Sequence, residues 1–318
     1  MFVARSQAVS CSGQSASLSR GNGEVGTSPR LTARMRSEVP HRARRSGESV
    51  APPLHYRIVN PHKELAAALR RSIVRRQWDA LAQPSIRLAH AKDGDRIVGY
   101  LGGDPELPAG TPWPKDPNGD SLQLYLTVFL SELPRTGHGL DLPDRGRLLF
   151  MLDFEADYPT VIYVEDDTDL VRCPIPEDLG PGDDDRLDVT AVVDGTFPDR
   201  HHTYLRRLPE SYFLEIDDPE IREADRPYGM HRIGGYGEAV QYEPDFAPSA
   251  RLPRLEELDL PGGIDPGASE LPIMLAQIDT DHEANLIWGD CGNSHWFIGR
   301  EDLAARRFDK VEMGWSCY

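Results

Sequence analysis

One stretch constrains the fold more than any other: LPIMLAQIDTDHEANLIWGDCGNSHWFIGREDLAARRF, from Leu271 to Phe308. Short apolar and aromatic runs alternate with Gly, Asp and Asn punctuation, the pattern of strands joined by tight turns. It predicts strands at IMLAQI, LIWG and HWFI, a polar turn at DTDHEAN and a tight turn at DCGN. GREDLAARRF then reads as a short helix, with Glu301 and Asp302 in its first turn and Arg306 and Arg307 in its last, where the macrodipole favours each. KVEMGWSCY closes as an alternating strand with Val311, Met313, Trp315 and Cys317 on one face.

Upstream, LQLYLTVFLSEL from Leu122, GRLLFMLDFE from Gly146 and TVIYVE from Thr160 read as strands, the first two apolar enough to be covered on both faces. SIRLAHAK adds a strand from Ile86 to His90. Asn60 before Pro61 is a helix start, and Leu65, Leu69 and Ile73 recur at helical spacing, which predicts one amphipathic helix to about Leu81. Runs of strands with few helices predict an α+β class: a large mixed or antiparallel sheet with few peripheral helices. Gly102 and Gly234 each lead a segment that precedes a buried strand, at Leu124 and Ile273, a hint of internal duplication.

Two segments stand apart in composition. Residues 1–53 are rich in Arg, Ser and Gly and lack apolar periodicity, so they read as a disordered tail, leaving 54–318 as a single domain. Around 153–194 acids crowd into an insert, including Asp183, Asp184 and Asp185. The net charge of -17 understates the acidity of the body, because the tail is basic. That balance repels phosphate backbones, so no nucleic acid is expected as a partner of the folded body, whereas a basic protein or a cationic ligand would be steered towards it.

The motifs exclude more than they assign. The acidic runs lack the alternating ligands, glycine and terminal glutamate of an EF-hand, and Asp279, Asp281, Glu283 and Asp290 lack its sharp-turn glycine, so no metal and no cofactor is expected. HRIGGYGEAVQ, from His231, lacks the flanking strand and long helix of a dinucleotide loop and reads as a glycine turn. Cys11, Cys173, Cys291 and Cys317 make no CxxC pair, which fits a reducing compartment. The longest apolar run, Leu122 to Leu130, is too short for a membrane helix, so no membrane contact is expected. Cys291, His295 and Asp290 offer the residue types of a nucleophile, base and orienting acid, but the spacing puts them in a turn and a strand, and no catalytic set is assigned. An enzyme is the less favoured reading.

Together, GGDPELPAGTPWP, HRIGGYGEAVQ, the AQIDTD turn and WGDCGNSHWFIGREDL with its closing strand resemble the YwqG-like family of bacterial proteins, a domain of unknown function. The resemblance runs from roughly Pro84 to Tyr318. It implies an α+β fold, cytoplasmic residence and no established enzymatic activity. The gene neighbourhoods of some relatives, in polymorphic toxin systems, imply an immunity-like or protein-binding role. The expectation is therefore a cytoplasmic protein-binding module with an acidic surface. The alternative is a small-ligand-binding enzyme or hydrolase with a pocket between the Trp113 loop and the Asp290 turn. Gly103, Trp113, His231, Gly234, Gln277, Asp279, Trp288 and Asp290 are its candidate ligand-facing residues.

Overall fold

The computed structural model describes residues 61–317 apart from 154–156, 166–168, 180–185, 199–201, 217–230, 239, 241–257 and 264–269. The expected tail at 1–53, the Asp183–Asp185 run, and Ala239 and Gln241 of the glycine turn lie outside the described residues.

Twelve strands are formed among the described residues: β1 (Gln83–His90), β2 (Ile97–Leu101), β3 (Glu106–Pro108), β4 (Gln123–Phe129), β5 (Arg147–Asp153), β6 (Tyr158–Val164), β7 (Leu170–Arg172), β8 (Leu187–Thr196), β9 (Arg232–Ile233), β10 (Ile273–Asp279), β11 (Asn293–Ile298) and β12 (Glu312–Ser316). Three α-helices accompany them: α1 (Pro61–Asp79), α2 (Glu210–Ile216) and α3 (Arg300–Ala304). Ten strands join one sheet in the order β12-β11-β10-β9-β1-β8-β2-β4-β5-β6, while β3 and β7 pair separately. Tyr163 on β6 packs against Phe308, just ahead of β12, so the two edge strands approach one another and the sheet nearly closes into a barrel.

This corrects the expected α+β class. Among the described residues the structure is mostly sheet, 38% strand against 17% helical, and every pairing is antiparallel. The expectation undercounted strands because β8, LDVTAVVDGT, lies at the end of the acidic stretch, and because β9 is two residues long. Contrary to the expectation of no strand before the Gly234 turn, β9 stands there, held by pairing with β1 and β10. LIWG makes only an isolated bridge, Asp281 to Leu286. On α1 the buried residues are Val74, Gln77 and Trp78, while Leu69 and Ile73 of the predicted stripe are exposed.

The strand order reads the same from either edge when β1 is matched with β8, β2 with β9, β4 with β10, β5 with β11 and β6 with β12. The match extends to detail. A bulge at Tyr125 interrupts the β4–β5 register, and a bulge at Leu275 interrupts β10–β11. The amide of Gly102 donates to Tyr125 O and that of Gly234 to Leu275 O, each at 3.1 Å. Both glycines sit at positive φ, where a side chain is strained.

The pleat then divides the side chains. On one face Ile86, Leu101, Leu126, Phe150, Ile233, Ala276 and Trp296 belong to the main core, where Phe150 and Trp296, at matching positions, meet edge to face at 5.4 Å. On the other face Tyr100, Leu124, Leu149 and Met151 form an apolar cluster over the first half. Over the second half, among the described residues, Tyr236, Met274 and Phe297 do so, beside a polar patch.

Candidate functional site

The polar patch is built by alternation on three neighbouring strands. Gln277 and Asp279 lie at i and i+2 on β10, Asn293 and His295 at i and i+2 on β11, and Arg232 stands on β9. Register sets Arg232 beside Gln277, Gln277 beside His295 and Asp279 beside Asn293, so all five side chains share one face. All are buried, none more than 5% exposed.

The loop after Gly234 and Gly235 lies over them. Glu238 N–H donates to Gln277 Oε1 at 2.7 Å, and Asn293 Nδ2 donates to Glu238 O at 2.6 Å. A Cβ on Gly237 would stand 2.6 Å from His295 Nε2, so only glycine lets the loop lie this close to the ring. Arg232 Nη2 pairs with Glu238 Oε1 at 3.0 Å.

These contacts fix the amide orientations, because a backbone N–H can only donate and a carbonyl can only accept. Gln277 therefore presents Nε2 to Asp279 Oδ1, at 2.7 Å. Among the described residues, three buried atoms of this face are left without a protein hydrogen-bond partner: Asp279 Oδ2, Asn293 Oδ1 and Arg232 Nε. Buried polar atoms without partners are rare in folded chains and each costs on the order of 1–3 kcal/mol.

Burial pushes the Asp279 carboxyl up to about 6, against the opposing pull of His231 and of the Gln277 hydrogen bond. Burial, aided by the Arg232 charge, holds His295 down at about 4, so its ring is neutral at pH 7.

At the strand ends stands a second network. Asp279 N–H donates to His231 Nδ1 at 3.1 Å, which leaves Nε2 to carry the ring proton towards Asp281 Oδ2, also at 3.1 Å. His90 Nε2 lies 2.6 Å from the same oxygen. Asp281 Oδ1 accepts from the amides of Glu283 and Ala284. Burial raises the Asp281 carboxyl, but the hydrogen bonds from His231, His90 and Ala284 outweigh it and hold the group below the usual carboxylate range. Every oxygen of Asp281 is engaged, so it anchors the turn rather than offering a ligand. Asp116, close to Asp120 and Asp153, is likewise a turn cap, with Oδ1 accepting from the amides of Asn118, Gly119 and Asp120.

Of the candidates taken from the sequence, His231, Gln277 and Asp279 come together here, under the turn that Gly234 opens. Gly103 follows β2 and packs on Arg186. Trp113 donates its indole N–H to Leu122 O and rests on the first-half apolar cluster. Trp288 is fully buried and stacked on Tyr125 at 5.0 Å. Asp290 is exposed beside Cys291, also exposed, whereas His295 is buried beneath Gly237. Sequence reasoning passed over Arg232, Glu238 and Asn293. The signal for Asn293 was present: polar residues at i and i+2 in each arm of an otherwise apolar hairpin.

Among the described residues no helix is long and apolar enough to cross a membrane. Residues 99–317 match a family described as Domain of unknown function (DUF1963). No curated protein matches the chain.

Proposed function

The chain belongs to the DUF1963 family, a domain of unknown function, and we propose that it binds a small ligand on the polar face of β9, β10 and β11. The YwqG-like resemblance is a finer statement than that match and stands as part of the same proposal. One observation carries the reading: Asp279 Oδ2, Asn293 Oδ1 and Arg232 Nε are buried on one face without protein partners among the described residues, a deficit that a bound molecule removes. The matching strands support it at three positions, because Tyr100, Phe129 and Leu149 stand where Arg232, Asp279 and His295 do, while Thr127 and Arg147 stand where Gln277 and Asn293 do, so the frame does not require polar residues at the first three.

The reading of an acidic face for a basic protein drew on residues 153–194, of which 154–156, 166–168 and 180–185 lie outside the described residues. The proposed ligand face sits on other strands than the Trp113 loop.

The test is a thermal-shift screen of the full chain and of Asn293→Leu against a library of small polar metabolites. The parent is expected to be stabilised by at least one compound that leaves the variant unmoved. A parent that responds to none, with a variant less stable than the parent, would show the face to be structural and end the reading.

A further inference from the structure

The unsatisfied atoms define the chemistry of the missing partner. Asn293 is committed through Nδ2 to Glu238 O, so its free atom is an acceptor. Asp279 is committed through Oδ1 to Gln277, so its free oxygen is also an acceptor when ionised. These two residues are register partners on β10 and β11, which brings their side chains to about 5 Å at Cβ. Two converging acceptors, one a carboxylate, ask for a donor group that carries positive charge.

The charge balance points the same way. Arg232 is paired with Glu238, and Asp281 is held by two histidines and two amides. Among the described residues Asp279, itself buried, has no cationic side chain within salt-bridge distance, and His231 and Arg232 act on it only from farther off. A buried carboxylate left in this condition is costly unless a cation joins it.

The matching half of the sheet shows a chain that supplies its own cation. There the same register pair is Phe129 and Arg147. The Arg147 guanidinium lies 5.0 Å from the Phe129 ring centre and pairs with Glu106 at 2.6 Å. In the second half, Asp279 and Asn293 replace that pair with two smaller side chains that offer acceptors and no cation.

Arg232 Nε supplies a donor at the other side. Arg232 is the register partner of Gln277 and hence the diagonal neighbour of Asp279, roughly 7–8 Å away by sheet geometry. That span suits a molecule a few ångströms long with a hydrogen bond of about 2.9 Å at each end.

We propose that the ligand is a small ammonium zwitterion of the amino-acid class, its ammonium group held by Asp279 Oδ2 and Asn293 Oδ1 and its carboxylate by Arg232 Nε. This assignment rests on the reading of the face as a small-ligand site.

The experiment is isothermal titration of the full chain with each proteinogenic amino acid, with the matching carboxylic acids that lack the amine, and with the matching amines that lack the carboxylate. Native mass spectrometry of the chain purified from its own host runs alongside. At least one amino acid is expected to bind, with roughly ten- to hundredfold loss for its desamino analogue and for Asp279→Asn. Asp279→Ser serves as a second variant, and Leu69→Ser, at an exposed residue of α1, is the control expected to bind as the parent does. A bound molecule without a basic nitrogen, displaced in the Asp279 variants, would overturn the zwitterion and leave the small-ligand site standing. No bound molecule and no titration heat with any probe would overturn both. Binding that survives both Asp279 variants would overturn the assignment of the ammonium to this carboxylate.

Discussion

Asp279 and Asn293 face one another across β10 and β11, and each keeps one buried oxygen without a hydrogen-bond donor among the described residues. Both side chains are buried, so their cost to the fold has direct consequences for measured stability.

Asp279→Asn is expected to stabilise the ligand-free chain at alkaline pH. Burial pushes the folded carboxyl up to about 6, above its ordinary 3.8, so the folded state holds the proton more tightly than the unfolded one. The stability that this gives is complete below about 3.8 and is lost as pH rises through 6, an amount of about 3 kcal/mol. Asparagine keeps the acceptor for Gln277 and never ionises. Urea unfolding should find the variant ahead of the parent at pH 8 and level with it below pH 4; a variant weaker at pH 8 would refute the account.

His295 acts with the opposite sign. Its folded value of about 4 lies below the ordinary 6.5, so the folded state resists protonation. Stability is full above 6.5 and falls as pH drops from there to about 4, by about 3 kcal/mol from this group. His295→Leu places here the residue type found at the matching position, Leu149. The variant should lose less stability than the parent between pH 6.5 and 4 in the same unfolding series, and equal slopes would contradict the prediction.

Asp281→Ala removes one carboxylate that serves two histidines and two turn amides at once. It is expected to cost about 2–4 kcal/mol. It should also free the His231 ring, so nitrogen chemical shifts should show the loss of a single fixed tautomer. An unchanged His231 spectrum would mean that Asp279 N–H alone fixes the ring.

On α1, Trp78→Ala should cost about 3–5 kcal/mol because the ring is buried and stacked on Phe197 at 5.5 Å. Leu69→Ser, at an exposed position, should stay within about 0.5 kcal/mol of the parent. Comparable losses from both would restore the stripe expected from spacing alone.

That helix shows where reading a sequence succeeds and fails. Its start at Pro61 follows from local rules, since proline tolerates the first helical turn. Its buried face does not. Leu69 and Ile73 fit the apolar period as well as Val74 and Trp78 do, and only the packing of the helix decides between them. The short strand β9 was equally hidden, because two residues carry no periodicity and owe their conformation to β1 and β10.

The sequence by itself determined the strands β4, β5, β10, β11 and β12 and the glycines that turn between them, because alternation and positive φ are properties of a few adjacent residues. It also carried the polar pairs Gln277–Asp279 and Asn293–His295. Tertiary structure decided that Arg232 joins them, that Glu238 and Gly237 cover them, and that Asp281 is satisfied while Asp279 is not. Hydrogen-bond satisfaction and burial depend on which distant strands become neighbours, and pairing of β9 with β10 joins residues more than forty positions apart. No local pattern encodes that meeting.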